Sequence, residues 1–186
     1  MIRFLPLALA AASLLPLSAQ AQQALVPAQS EVSFVSRQMG VPVEGKFKTF
    51  SAQVAFDPAK LATSQIAFTV DTGSADISRE ANAELPKATW FNVAAFPKAT
   101  FQSSSIKRLD ASKFEVTGKL SIKGLSSDVV VPVTLAQNGA TTTATGAFPI
   151  KRLAFRIGEK EWADTSMVAD EVQVKFKIAL TGVPKL

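Results

Sequence analysis

The chain has 186 residues, 47% of them hydrophobic, with 20 Lys+Arg against 15 Asp+Glu and a formal charge of +5. It contains no Cys, His or Tyr, which excludes Ser-His-Asp and Cys-His relays, an imidazole general base and any thiolate or imidazole metal site. Only carboxylates, lysines and arginines remain for acid–base or hard-metal chemistry, so the inventory points to a binding module before a catalyst.

The first 21 residues read as a secretory signal. Arg3 gives a positive start, Phe4 to Leu17 is an uncharged apolar run, and Ala19-Gln20-Ala21 has the small-x-small pattern of a cleavage site, so cleavage is expected after Ala21. The run is shorter than the roughly 20 residues of a membrane span, and no stable membrane insertion is expected. The expected location is the periplasm, with one domain over residues 22–186, a length that can enclose a substantial core or a ligand cavity. Without cysteine, that domain must hold without disulfides in an oxidising compartment. Loss of Arg3 takes the formal charge from +5 to +4. The basic residues are spread singly, as at Lys46, Lys48, Lys119, Lys123, Lys175 and Lys177. A nucleic-acid footprint needs a clustered patch with stacking aromatics, so no nucleic-acid partner is expected.

Period two dominates the mature chain. Val32 and Phe34 alternate with polar residues, then Val54 and Phe56 before Asp57-Pro58, then Ile66, Phe68 and Val70 before Asp71-Thr72-Gly73. Each reads as a half-buried strand. From Ser74 the pattern changes: Ile77, Ala81 and Leu85 share one helical face, and Pro86 suits the first turn of a second short helix to Asn92 carrying Trp90 and Phe91. Strands resume with Ala99, Phe101 and Ile106, then Phe114, Val116, Leu120 and Ile122, then Val129, Val131, Val133 and Leu135. Leu109 to Ser112, Gly124 to Ser127 and Asn138-Gly139 supply hairpin signals between them. Thr141 to Ile150, containing Phe148, continues as a strand, and Glu171 to Thr181 closes the chain with Val172, Val174, Phe176, Ile178 and Leu180 on one face.

Roughly eight strands with one helical interruption, and no strand–helix alternation, predict an all-β fold, an antiparallel barrel closed or nearly so, with a two-sheet sandwich as the alternative. A barrel of eight strands is just wide enough to be filled by side chains or to hold one small ligand. Thirteen Phe make its interior dry, but the pattern alone leaves a filled core and a cavity equally open.

Several blocks are similar to a known family. Asp76-Ile77-Ser78-Arg79, Leu85-Pro86 and the run Trp90 to Ser103 resemble the central signature of the YceI-like family of periplasmic polyisoprenoid-binding proteins. Val116 to Gly124 resembles its G-x-L-T-I-K-G strand and turn; Phe148 to Trp162, with Arg152, Phe155, Ile157 and Gly158, resembles its R-x-x-F-x-I-G region; Val41 to Phe56, with Gly45, Phe47 and Phe50, resembles its G-x-F-x-x-F opening. The resemblance implies an eight-stranded lipocalin-like barrel that sequesters a long-chain lipid or isoprenoid without cofactor, metal or chemistry. Where many members carry histidines, this chain has Ser36 and Gln38, so any role of those imidazoles does not transfer.

The candidate ligand-lining residues are Phe34, Phe47, Phe68, Trp90, Phe91, Phe101, Phe114, Leu120, Ile122, Val131, Phe148, Phe155 and Phe176. Arg79 and Arg152 are candidates for holding a polar head group, since an arginine fork can bind phosphate bidentately. The alternative for both is an internal salt bridge, with Asp76, Glu80, Asp164 or Asp170. Glu159, Glu161 and Asp164 form the densest carboxylate group, but lack the spacing of a calcium loop and read as a solvated turn. A homodimer is left open.

Overall fold

Alternating side chains become eleven antiparallel strands in the computed structural model, which describes residues 23–186. The signal segment read at residues 1–21, with its cleavage point, lies outside the described residues. The strands are β1 (Ala24–Leu25), β2 (Glu31–Gln38), β3 (Val41–Phe47), β4 (Phe50–Ala55), β5 (Gln65–Asp71), β6 (Ala75–Asp76), β7 (Lys98–Arg108), β8 (Lys113–Ile122), β9 (Leu125–Asn138), β10 (Thr141–Lys151) and β11 (Glu171–Thr181). They form one sheet in the order β4-β5-β7-β8-β9-β10-β11-β2-β3-β6, with β1 beside β11.

The two ends of that order belong to one stretch of chain. β3 runs into β4 through Lys48-Thr49, so the sheet curls until β3 pairs with β2 and β4 with β5. Counting β3–β4 as one bent strand, and setting aside the two-residue β1 and β6, leaves eight long strands around the axis. The single sheet excludes the sandwich. Its seam is sewn partly by a side chain: the Gln23 amide donates to the Phe56 carbonyl (2.6 Å) and accepts from the Phe56 N–H (2.9 Å). One side chain thus imitates a pair of ladder bonds at Phe56, just past the end of β4.

Tight turns set the register. Met39-Gly40 and Lys123-Gly124 are two-residue loops with positive φ at both positions, the backbone that matches the twist of a hairpin. The second differs from the expected turn at Gly124 to Ser127. Leu125 already pairs with Ile122, and the loop begins one residue earlier, at Lys123. Lys123 is buried and held in this conformation by Nζ donating to the Arg156 carbonyl (2.5 Å) and pairing with Glu159 (3.3 Å). β7 carries a bulge between Ser103 and Ser105. That extra residue lets Phe101 and Ile106, an odd number apart, both face the interior.

The interruption between β5 and β7 holds one helix, α1 (Arg79–Glu84), capped by Ser78 Oγ accepting from the Ala81 N–H (3.2 Å). The second helix expected from Pro86 to Asn92 does not form. Those residues make a series of turns in which Phe91 N–H returns to the Leu85 carbonyl and Val93 N–H to the Pro86 carbonyl, and Asn92 takes φ +49°. Burial of Leu85 and Phe91 outweighs the helical register. Two apolar clusters make up the interior. One joins Leu85, Phe91, Phe155 and Ile157 to the strands; the other gathers Phe56, Phe114, Leu135 and Ile178.

Candidate functional site: a two-chambered apolar lumen

Within those clusters the barrel is not filled. Interiors normally hold few voids larger than a water molecule, yet two cavities of about 180 and 400 Å³ lie along the lumen. The inner, smaller chamber is lined by side chains from β2, β4, β5 and β7–β11, including Phe68, Phe101, Phe114, Val131 and Phe176. The outer chamber takes Phe34, Phe47, Trp90, Phe91, Ile122 and Arg152. Val32, Val70, Ala99, Leu120, Phe148 and Val174 border both, forming a common waist. Phe155 and Arg79 line neither. Phe155 is 2% exposed in the cluster with Leu85, Phe91 and Ile157, and Arg79 is exposed at the start of α1.

The lumen stays open because three phenylalanines lie against the wall. Gly45, Gly118 and Gly146 occupy inward positions on β3, β8 and β10, and a methyl group added to any of them would sit 2.4 Å from the Cζ of Phe34, Phe101 or Phe176, respectively. Each ring rests over a glycine of the neighbouring strand, in the space a side chain would otherwise take. With larger residues beneath them the rings would be displaced towards the axis. In the outer chamber Phe34 packs on Phe47 (centroids 5.3 Å apart), Phe47 on Phe91 (6.1 Å), and Trp90 on Trp162 (5.6 Å). Such tilted and edge contacts fix ring positions.

Exposed residues that also line the outer chamber mark where it meets solvent: Gln38, Ser78 and Glu80, with the half-buried Ser36 and Glu84 beside them. Ser36 and Gln38, both on β2, reach this chamber from one strand end. Glu80 and Glu84, one turn apart on α1, belong to the same rim, and the exposed Lys87 pairs with Glu84. The Trp90 Nε1–H is buried and has no hydrogen-bond partner, although its ring lines the chamber.

Arg152 overturns both sequence-based expectations for it. It is 2% exposed, and its five N–H groups all go to backbone carbonyls: Nε to Ala169 (3.0 Å), Nη1 to Ile157 (2.9 Å) and Gly158 (2.8 Å), and Nη2 to Trp162 (2.7 Å) and Val168 (2.6 Å). A guanidinium has five donors and no more. None is left for a ligand, and no carboxylate pairs with it among the described residues. Burial lowers its pKa, and the nearby charge of Asp170 opposes that shift. Its role is to gather the irregular segment between β10 and β11. That segment is stapled in turn to the turns before Trp90, since Gly158 and Glu159 N–H both donate to the Thr89 carbonyl (2.8 and 3.0 Å). Gly158 is required at the crossing: a Cβ there would lie 2.5 Å from Arg152 Nη1, and its φ is +73°.

Sequence reasoning missed Ser36, Gln38, Glu80 and Glu84 as lining residues because polar side chains on a strand end or short helix normally face water. The signal that was present is the spacing of four between the two glutamates, which puts them on the face of α1 that also carries Ala81.

The YceI-like domain matches residues 24–180. The chain belongs to this family. The YceI-like barrel superposes on the crystal structure of Burkholderia cenocepacia BcnA with a TM-score of 0.81 and 52% identity, covering 83% of this chain and 98% of that one. A polyisoprenoid binding domain from Saccharophagus degradans shares the fold at a TM-score of 0.69 and 13% identity, covering 86% of this chain and 98% of that domain. Among curated relatives, the protein YceI of Salmonella arizonae is 32% identical over 96 residues, which is 51% of this chain and 50% of the relative. The YceI-like chain spans about half the length of the curated relatives it matches.

Proposed function

We propose that this protein is a periplasmic carrier that sequesters one long apolar chain, a polyisoprenoid or fatty-chain lipid, within the barrel and performs no chemistry on it. The observation that carries the reading is the pair of chambers meeting at one waist. The inner chamber is walled almost wholly by hydrocarbon, and the outer has a polar rim at the solvent. An amphiphile with a long tail and a small polar end has that polarity. Burial of its tail supplies roughly 0.8 kcal/mol per methylene, enough to hold it without any charge contact. The description of the Saccharophagus domain as polyisoprenoid-binding agrees with this reading, as do the signal-like first 21 residues with the location. The lumen argues against a filled barrel acting only through its surface.

Native mass spectrometry of protein released from its own host by osmotic shock, followed by organic extraction, tests the proposal. The expected result is one apolar molecule per chain on a protein beginning at Gln22. A clean ligand-free mass under gentle conditions refutes the carrier, and intact Met1 in the cytosol refutes the location.

A further inference from the structure

Three of the five exposed large hydrophobic side chains among the described residues stand together at the mouth of the outer chamber: Met39 (71% exposed), Val41 (62%) and Met167 (46%). Met39 opens the β2–β3 turn, and Val41 pairs with Gln38 across that hairpin. The Met39 N–H donates to the Met167 carbonyl (2.9 Å), which ties the two methionines together. Their neighbours in sequence, Gln38 and Val168, bridge to each other and line the chamber, so the patch continues into its wall. After Met1 these are the only methionines in the chain.

Turn chemistry gives no reason for a methionine at this tip. Met39 has φ +47° in a two-residue turn that favours Asn, Asp or Gly. At the other such turn, Lys123 offsets the same conformation with a buried ammonium held by Arg156 and Glu159. The Met39 side chain projects into solvent instead and adds no packing to the fold. Beside it, exposed Arg37 spends one donor on the Gly40 carbonyl (3.2 Å) and pairs with no carboxylate among the described residues. Arg79, at the start of α1 on the same rim, is also exposed and unpaired among them. Of the rim carboxylates, Glu84 is paired with Lys87 and Glu80 is not. Asp164, in the turn that leads to Met167, is taken up by the Ser166 hydroxyl and N–H (2.7 and 2.9 Å). An apolar patch edged by unpaired guanidinium groups matches the boundary of a phospholipid bilayer, where hydrocarbon meets phosphate.

We propose that this mouth is a membrane-docking surface. Met39, Val41 and Met167 enter the headgroup region of a phospholipid bilayer with Arg37 against a phosphate, and an apolar chain passes between bilayer and outer chamber without crossing water. A tail that travels through water exposes every methylene that burial had covered, and contact at the mouth removes that cost from the exchange. The inference rests on the carrier reading and adds the surface at which the carrier exchanges its cargo.

The test uses the mature protein and vesicles of phosphatidylethanolamine and phosphatidylglycerol, bare or carrying retinol, a fluorescent isoprenoid alcohol. The parent protein is expected to float with bare vesicles, and its uptake of retinol should quicken in proportion to vesicle concentration, as exchange by contact requires. Met39→Asn combined with Met167→Ser gives the turn a residue suited to its positive φ. That double variant should float at least about tenfold more weakly and take up retinol at a rate independent of vesicle concentration, with retinol affinity unchanged and the denaturation midpoint no lower than the parent's. Arg37→Gln should cost about fivefold on these anionic vesicles. Hydrogen peroxide, which gives one oxygen to each thioether and leaves as water, should reproduce the double variant, because the mature chain has no other methionine. A parent protein that does not float, or a double variant that takes up retinol as fast as the parent, overturns the inference and leaves the carrier standing. A concentration-dependent dimer that is lost in the double variant, without flotation of the parent, assigns the patch to a second copy and overturns it likewise. If no retinol binds, the carrier reading fails, while flotation with bare vesicles still decides the docking.

Discussion

Gly45→Ala is the sharpest probe of how the lumen is kept open. A Cβ at that position would lie 2.4 Å from Phe34 Cζ, 2.6 Å from Ile77 Cγ1 and 2.8 Å from Phe34 Cε2. All three are side-chain atoms, whereas at Gly118 and Gly146 a backbone carbonyl also stands in the way, at 2.5 and 2.3 Å. Ordinary contact begins near 3.4 Å, so the edge of the Phe34 ring must retreat by about 1 Å, and the open direction is the outer chamber. If the ring swings inward, the fold loses little, because removing a strand glycine recovers about 0.5–1 kcal/mol of backbone entropy. The ligand then gives up contact worth one or two methylenes at roughly 0.8 kcal/mol each, or about four- to fifteenfold in affinity. If the ring is held by Phe47, overpacking instead costs the fold about 1–3 kcal/mol. Urea denaturation and titration with a long-chain alcohol distinguish the two outcomes, and Phe34→Leu in the Gly45→Ala background should restore whichever property was lost. An unchanged affinity together with an unchanged denaturation midpoint would refute the account of the glycine-supported rings.

Arg152→Met should lower the denaturation midpoint severely, since five carbonyls lose their donors and each buried unsatisfied group costs about 1–3 kcal/mol; Arg152→Lys, with at most three donors, should recover only part of that loss, and full recovery would refute the five-carbonyl account. Leu120→Trp, at the waist, should cut affinity for chains long enough to enter both chambers while sparing short ones that fit the outer one. Equal loss for long and short chains in that variant would show that the chambers do not form one path. Hydrogen bonds from Lys48 and Asn82 lower the pKa of Asp76 below its ordinary 3.8. Its contribution to stability is therefore present above the unfolded pKa and lost as the pH falls through the folded one. Asp76→Asn should flatten the acid limb of stability measured by thermal melting below about pH 4, and an identical limb in both proteins would remove that assignment.

The strands are legible because one face of each is buried and the other wet, which imposes period two directly on the sequence: Val172 to Leu180 on β11 reads face by face, and all five alternate residues line the lumen. The odd step from Phe101 to Ile106 already contains the β7 bulge. Features decided by distant partners are not carried by local patterning. Lys123 adopts a positive φ because Arg156 and Glu159 hold its ammonium, and the turns from Pro86 to Asn92 replace a helix because Phe91 must reach the core. Arg152 resembles a ligand-binding fork or half of an ion pair, since a lone arginine does not disclose five carbonyls supplied by residues 157–169. The cavity itself is undetermined in the sequence for the same reason. Whether a phenylalanine fills or lines a barrel depends on the residue beneath it across the ladder, and that requires the register of two strands.

The Gln23 seam has a consequence for assembly. Among the described strands β4 is hydrogen-bonded to β5 alone, and the Gln23 pair on Phe56 occupies the peptide group just past its end, beside an open row on which a second chain could add. The segment before β1 therefore guards one end of that edge. Gln23→Ala would leave the lumen walls in place and bare that end of the edge, so that pairing between copies should grow with concentration more steeply than in the parent protein.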